Sequence, residues 1–170
     1  MQSNKIDLER INSLDEEAFR EELHRCCGSR RWVELMAARR SFTDGAALSK
    51  AAEEIWFGLS REDWLEAFSH HPKIGDVENL REKFSNTLQW AKNEQSAVEV
   101  ASEETIKALA EANQAYENRF GYIFIVCATG KSADEMLAIL QHRLRNEPSE
   151  ELQIAAREQH KITNLRLMKL

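Results

Sequence analysis

The chain has 170 residues, of which 42% are hydrophobic and 31% charged, and its formal net charge is −6. This length and composition predict one globular domain over residues 1–170, with enough apolar residues for a substantial core. The negative charge argues against a nucleic-acid or anionic-membrane partner, and no apolar run reaches transmembrane length.

The cysteines bear on the cellular compartment. Cys26, Cys27 and Cys127 are odd in number and lack a C-x-x-C spacing, so neither a disulfide framework nor a zinc site is predicted. The N-terminal residues also lack the apolar stretch of a secretory signal. These features together predict a reducing cytoplasm.

The first 70 residues are typical of four helices separated by capping and stop residues. Ser13 fits a capping box for the first of them. Thr43 or Asp44 can cap the third, and Ser60 can cap the fourth. Tryptophan and phenylalanine side chains recur at helical spacing in these segments, which favours core positions over a stacking platform for bases.

A histidine followed by a proline ends this helical region. A residue before proline is pushed out of the helical conformation, so the fourth helix should stop near His70 and leave His71 in a stiff loop with Pro72. Histidine titrates near neutrality and can both take and give a proton. Considered alone, such a pair is more often a helix stop than a catalytic site.

An acid–amide pair follows on the next predicted helix. Ala91, Glu94 and Gln95 share one face at three- and four-residue spacing. A carboxylate beside a carboxamide suits a ligand with several N–H and C=O groups, such as a urea or an imide. The alternative is a solvated polar face, which is the usual place of these residue types.

A long helix is predicted from Ser102 to a stop at Gly121. Small, apolar or amide side chains recur along it at spacings of three and four, namely Ile106, Leu109, Asn113, Tyr116 and Phe120. This seam predicts a helix pair and suggests a homodimer.

Residues 122–128, YIFIVCA, interrupt the helical pattern. Their β-branched and aromatic side chains favour a strand, but no other stretch offers a strand partner, and the alternative is the start of a buried helix. The following Gly130, Lys131 and Ser132 do not complete a phosphate loop, because the first glycine of that motif would have to stand at Ile125.

The remaining residues predict two more helices. Ser132 can cap the first, which Asn146 should end. The last runs from Glu150 to the C-terminus, with Ile154, Ile162 and Leu165 on an apolar side. The chain as a whole therefore predicts an all-α domain of about eight or nine helices, with one extended apolar segment near residues 122–128.

Four blocks in order, HPKIGD, W-x-x-x-EQ, RFGYIFIVCATGKS and KITNLRL, resemble the 2-oxo-4-hydroxy-4-carboxy-5-ureidoimidazoline (OHCU) decarboxylase family. The resemblance spans about residues 10–170. It implies an all-α carboxy-lyase that converts OHCU to (S)-allantoin in urate degradation, without cofactor or metal, and it agrees with a homodimer.

The resemblance also implies the site residues. His71 matches the catalytic histidine, and Glu94 and Gln95 match the groups that hold the substrate. Ala91 stands where the family often has serine, so one hydroxyl contact is missing. The other implied substrate-binding residues are Pro72, Tyr122, Ile123, Phe124, Ile125, Val126 and Arg166.

Two other classes of protein compete with this interpretation. In a helical adaptor module, the His-Pro pair would be only a helix stop. In a metal hydrolase, His70, His71 and Glu94 would be ligands, although 23 residues separate the last two and no further ligand stands at a recognisable interval.

Overall fold

A computed structural model describes residues 6–72, 77–78, 80–82 and 102–170. The chain divides into two compact units. The first consists of Met1–His71 and Ile154–Leu170, and the second consists of Pro72–Gln153. Ala91, Glu94 and Gln95, and the helix predicted to carry them, lie outside the described residues.

All regular elements in the described ranges are helices, which confirms the all-α prediction. The first unit contains α1 (Leu8–Ser13), α2 (Glu16–Cys26), α3 (Arg30–Ala38), α4 (Gly45–Phe57) and α5 (Arg61–Ser69). The second contains α6 (Glu103–Phe120) and α7 (Ala133–Arg143), and residues 77–78 and 80–82 are also helical. Helix α8 (Pro148–Leu167) begins in the second unit and continues into the first.

Short polar side chains start the helices of the first unit, as the sequence predicts for two of them. Asp44 caps α4, and Ser60 caps α5 in a complete capping box. The prediction for Ser13 is wrong. That residue ends α1, and the carboxylate of Asp15 instead accepts the N–H of Ala18 to start α2.

Three buried tryptophans hold the helices of the first unit together. The indole N–H of Trp32 donates to the Ala52 carbonyl at 3.2 Å, and that of Trp64 donates to the Trp56 carbonyl at 2.8 Å. Trp56 in turn donates to the Ala156 carbonyl of α8 at 2.8 Å. These aromatic side chains are core, as predicted, and each buried polar end has a partner.

The buried face of α8 differs from the predicted one. Leu165 is 38% exposed, and Ile154 and Ile162 are only half-buried. Small and polar side chains at four-residue spacing are buried instead, namely Glu151, Ala155, Gln159 and Thr163, followed by Leu167. The apolar pattern misleads here because the polar groups on this face are paired with one another and with neighbouring side chains.

In the second unit, the seam of α6 packs within the same chain. Its four large apolar side chains are buried in one cluster with Leu80, Ala133, Met136 and Leu140. The predicted helix pair is therefore confirmed as the pair of α6 and α7. Because the chain itself covers the seam, the seam no longer supports a homodimer.

Residues 122–128 have no regular secondary structure and form neither the strand nor the helix that the sequence left open. Gly121 precedes them as the left-handed end of α6, with φ of 82°. Side chains take the place of a strand partner: Arg143 donates to the Ile125 carbonyl at 2.6 Å, and Lys131 donates to the Cys127 carbonyl at 2.7 Å. Lys131 thus binds its own turn.

Within the part of the chain that the structure describes, no helix combines the length and the apolar character that crossing a lipid bilayer requires.

Candidate active site

The end of α5 places His71. The helix stops at Ser69, and the last two N–H groups, of His70 and His71, donate to carbonyls three residues back at 3.2 Å. This confirms the stop predicted from Pro72, which is itself exposed. The tight last turn leaves the imidazole of His71 half-buried in the first unit.

A buried glycine fixes the same turn from the other side. Gly28, between α2 and α3, lies so close to His70 that a Cβ added to it would stand 2.6 Å from the Cβ and Cγ of His70. The ring of His70 also meets His24 edge-on, with centroids 5.0 Å apart. The backbone just before His71 is therefore held against the connection between two helices.

One ring nitrogen of His71 is occupied by an amide. Its Nε2 lies 2.5 Å from Oε1 of Gln159, a fully buried residue of α8. The carboxamide nitrogen of Gln159 donates to the Thr163 hydroxyl at 3.2 Å. Sequence reasoning missed Gln159 and Thr163. The available signal was their four-residue spacing with Ala155 and Leu167.

The surroundings of His71 favour a neutral imidazole. Burial lowers the pKa of His71 below its ordinary value, and the positive charges of Arg166 and His70 lower it further. The hydrogen bond with Gln159 acts in the opposite direction. The net effect leaves a ring that can accept a proton at neutral pH.

Arg166 has a bracing position. Its guanidinium lies 3.4 Å from the carbonyl of Cys26 and 3.5 Å from that of Arg25, at the C-terminal end of α2. A cation at that end of a helix is favourable for the helix dipole. Of the two roles open to this residue, bracing or pairing with a substrate carboxylate, these contacts favour bracing.

The second unit fixes the backbone of residues 122–126 through a buried ion pair. Arg143 is 4% exposed and Glu151 fully buried, and the Arg143 Nε donates to the Glu151 carboxylate at 2.7 Å. The Tyr116 hydroxyl also donates to this carboxylate. Arg143 also donates to the Ile125 carbonyl at 2.6 Å, and its guanidinium lies over the Phe124 ring, so the segment is anchored to the ion pair at these two residues.

The predicted site residues thus fall into three groups. His71 and Arg166 lie in the first unit, and Pro72 and residues 122–126 in the second. Ala91, Glu94 and Gln95 lie outside the described residues, so the metal-site alternative, which needs Glu94, is not tested by the structure. Full activity in excess chelator would exclude it. Elsewhere in the described chain, no three His, Cys, Asp or Glu side chains gather around a possible ion site.

The chain is therefore an all-α protein whose candidate site is built around a neutral histidine, which lies at a helix end and is bound by an amide. The model of the OHCU decarboxylase family matches residues 12–168, and the chain belongs to this family. The family assignment confirms the prediction of a carboxy-lyase over that of a helical adaptor.

Three known proteins illustrate the relationship. The uric acid degradation bifunctional protein TTL of Arabidopsis thaliana is 40% identical over 146 residues, which are 85% of this chain and 45% of that longer protein. The OHCU decarboxylase of Haloferax volcanii is 26% identical, with 96% of this chain and 95% of that protein covered. A crystal structure of an OHCU decarboxylase in the presence of (S)-allantoin has a TM-score of 0.71 and 36% identity, covering 92% of this chain and 97% of that one.

Proposed function

We propose that His71 transfers the proton in the decarboxylation of OHCU to (S)-allantoin by this chain, with neither metal nor organic cofactor. Family membership supplies the reaction, a decarboxylation in urate degradation. The observation that carries the role of His71 is its environment: a half-buried imidazole, kept neutral, with one nitrogen bound by Gln159.

The chemistry of the substrate makes a cofactor unnecessary. The ring carbon that loses CO₂ neighbours a C=N bond, which can take up the electron pair of the breaking bond. The protein has only to hold the carboxylate out of the conjugated plane, in a site where water is scarce and loss of charge is favoured.

Proton balance gives His71 its task. To form allantoin, the 4-hydroxyl loses a proton as it becomes a carbonyl, and the neighbouring ring carbon gains one. A neutral imidazole can take the first proton and return one to the carbon. Delivery from a single face would produce a single enantiomer.

The other site residues have proposed roles in binding. Glu94 accepts the N–H groups of the ureido arm in a charge-assisted contact, and Gln95 fixes the ring or its carbonyl. Arg166 braces the histidine's surroundings, because pairing with the departing carboxylate would stabilise the ground state instead of the transition state.

Backbone groups and loop residues complete the proposed binding set. The extended backbone of residues 122–126 offers polar groups to a ligand rich in heteroatoms. Pro72 contributes an apolar wall, and Ala91 leaves the place of a hydroxyl contact empty. These assignments rest on the family motifs.

Three further properties belong to this proposal. Residues 1–170 act as one OHCU decarboxylase-like domain, which is supported by a single family model that matches residues 12–168. The chain works as a homodimer in the cytoplasm, an expectation that rests on the resemblance and on the cysteine pattern. Light scattering at micromolar concentration tests the dimer, and a monomer would contradict it.

The direct test is His71→Gln, assayed by the circular dichroism of allantoin formed from freshly generated OHCU. Turnover should fall by roughly two orders of magnitude, as expected for loss of a proton-transfer group. His142→Gln, at an exposed histidine, is the matched control and should keep wild-type turnover. Wild-type rates in His71→Gln would end the assignment, and unchanged kcat and KM in Glu94→Gln would count against that residue.

A further inference from the structure

We propose that Gln159 is a positioning residue that holds His71 in the tautomer protonated on Nε2, so that Nδ1 is the nitrogen that exchanges a proton with the substrate. The part that concerns the substrate rests on the proposed role of His71. The part that concerns the tautomer stands on the geometry of the first unit alone.

The contact is direct and buried. Oε1 of Gln159 lies 2.5 Å from Nε2 of His71, and Gln159 and its second partner Thr163 are 0% and 3% exposed. A carboxamide and a neutral imidazole can pair in two ways. A protonated Nε2 donates to the amide oxygen, or the amide NH₂ donates to an unprotonated Nε2. The chain must therefore contain something that fixes the direction of the amide.

Thr163 supplies that direction. The carboxamide nitrogen of Gln159 donates to the Thr163 hydroxyl at 3.2 Å. The hydroxyl oxygen has the lone pairs to accept that N–H. The amide NH₂ therefore faces Thr163, and Oε1 faces Nε2 of His71.

The consequence for His71 follows from the donor count. An oxygen of Gln159 can only accept, so Nε2 of His71 must hold the proton and Nδ1 keeps its lone pair. A carboxylate at residue 159 would also orient the ring but would favour the imidazolium. The neutral amide orients the ring without adding a negative charge, while burial and the nearby Arg166 guanidinium lower the pKa of His71 and leave the ring uncharged.

Nuclear magnetic resonance of protein labelled with ¹⁵N-histidine reads the tautomer without an activity assay. The chain has five histidines, and the signals lost in His71→Gln identify His71. We expect Nε2 to show the shift of a protonated ring nitrogen and Nδ1 that of an unprotonated one. A His71 protonated on Nδ1, or an equal mixture of the two tautomers, overturns the proposal.

Variants of the amide link the tautomer to turnover. Gln159→Leu removes the hydrogen bond at similar volume, and we expect kcat to fall roughly 10- to 100-fold with little change in KM, within the contribution of an oriented proton-transfer group. Thr163→Val should release the amide direction and produce mixed His71 tautomers. Gln153→Leu, at an exposed position of the same helix, is the matched control.

Gln159→Glu separates positioning from a structural role through the pH profile. A carboxylate at residue 159 favours the imidazolium, so the acid limb of the kcat/KM profile should move to higher pH. Gln159→Leu should move that limb to lower pH, because the hydrogen bond with Gln159 that raises the pKa of His71 is lost. Unmoved limbs in both variants would refute the positioning role. If His71→Gln instead keeps full activity, the proposed function fails while the tautomer result for Gln159 still stands.

Discussion

Replacing Gly28 with alanine tests whether the close packing beneath His70 sets the position of the His71 imidazole. The added Cβ would stand 2.6 Å from the Cβ and Cγ of His70. Non-bonded carbons settle at about 3.5–4.0 Å, so the two segments must separate by about 1 Å. The position of the His70 Cβ is set by the backbone, so a rotamer change would move Cγ but leave the 2.6 Å contact with Cβ in place.

That displacement reaches His71 through a single peptide unit. If the ring moves by about 1 Å, its 2.5 Å contact with Gln159 lengthens to about 3.5 Å, beyond an effective hydrogen bond. Overpacking of this kind costs about 1–3 kcal/mol in the free energy of unfolding. A reacting group misplaced by about 1 Å costs about 10²-fold in rate.

The assay is turnover by circular dichroism of the product, with thermal unfolding measured in parallel. Gly58→Ala is the control, because Gly58 has helical angles and its added Cβ would meet only two carbonyl oxygens, at 3.3 and 3.6 Å. Adding His70→Gly to Gly28→Ala removes the clashing atoms and should restore turnover. Wild-type turnover in Gly28→Ala alone would refute the reasoning.

Three further predictions concern buried charges and thiols. Arg143→Met leaves the carboxylate of Glu151 buried without its cation and should lower the free energy of unfolding by about 3–5 kcal/mol, measured by urea titration. Adding Glu151→Leu should recover part of the loss. A loss below about 1 kcal/mol in Arg143→Met would contradict the role of the pair. Because the pKa of His71 is lowered in the folded chain, its imidazole binds a proton in the unfolded chain first as the pH falls. Stability, measured as Tm against pH, should therefore drop below about pH 6.5. The drop should be smaller in His71→Gln. Burial raises the pKa of Cys26 to about 11 and that of Cys27 to about 12. A thiol reagent at pH 8 should therefore modify at most one cysteine of the native chain and all three after unfolding. Rapid modification of two cysteines in the native chain would argue against this burial.

The helix boundaries could be predicted well because the capping and stop residues lie within a few positions of the helix end that they determine. Ser60, Ser102 and Gly121 start or end helices as expected, and Pro72 stops α5 where the backbone sterics of a pre-proline residue require it. Ser13 failed because Asp15, two residues later, offers a carboxylate to the same helix start.

Long-range pairing could not be predicted in the same way. The partners of Gln159 and Glu151 stand 88 and 35 residues away in the chain, at His71 and Tyr116. A pattern of apolar spacing treats such residues as solvent-facing, since polar side chains are mostly exposed. Once their partners are in place, these polar residues form the buried face of α8.

The extended segment of residues 122–128 has a consequence for the fate of misfolded chains. Seven uncharged residues of high β-propensity, without proline or glycine, have the composition of segments that stack into amyloid-like fibrils. In the native chain, side chains of Arg143 and Lys131 occupy carbonyls that another molecule's strand would otherwise use. Chains truncated before residue 143 lack the hydrogen bond from Arg143 to the Ile125 carbonyl. Nascent or proteolysed fragments of this kind should therefore precipitate under conditions in which the intact protein stays in solution.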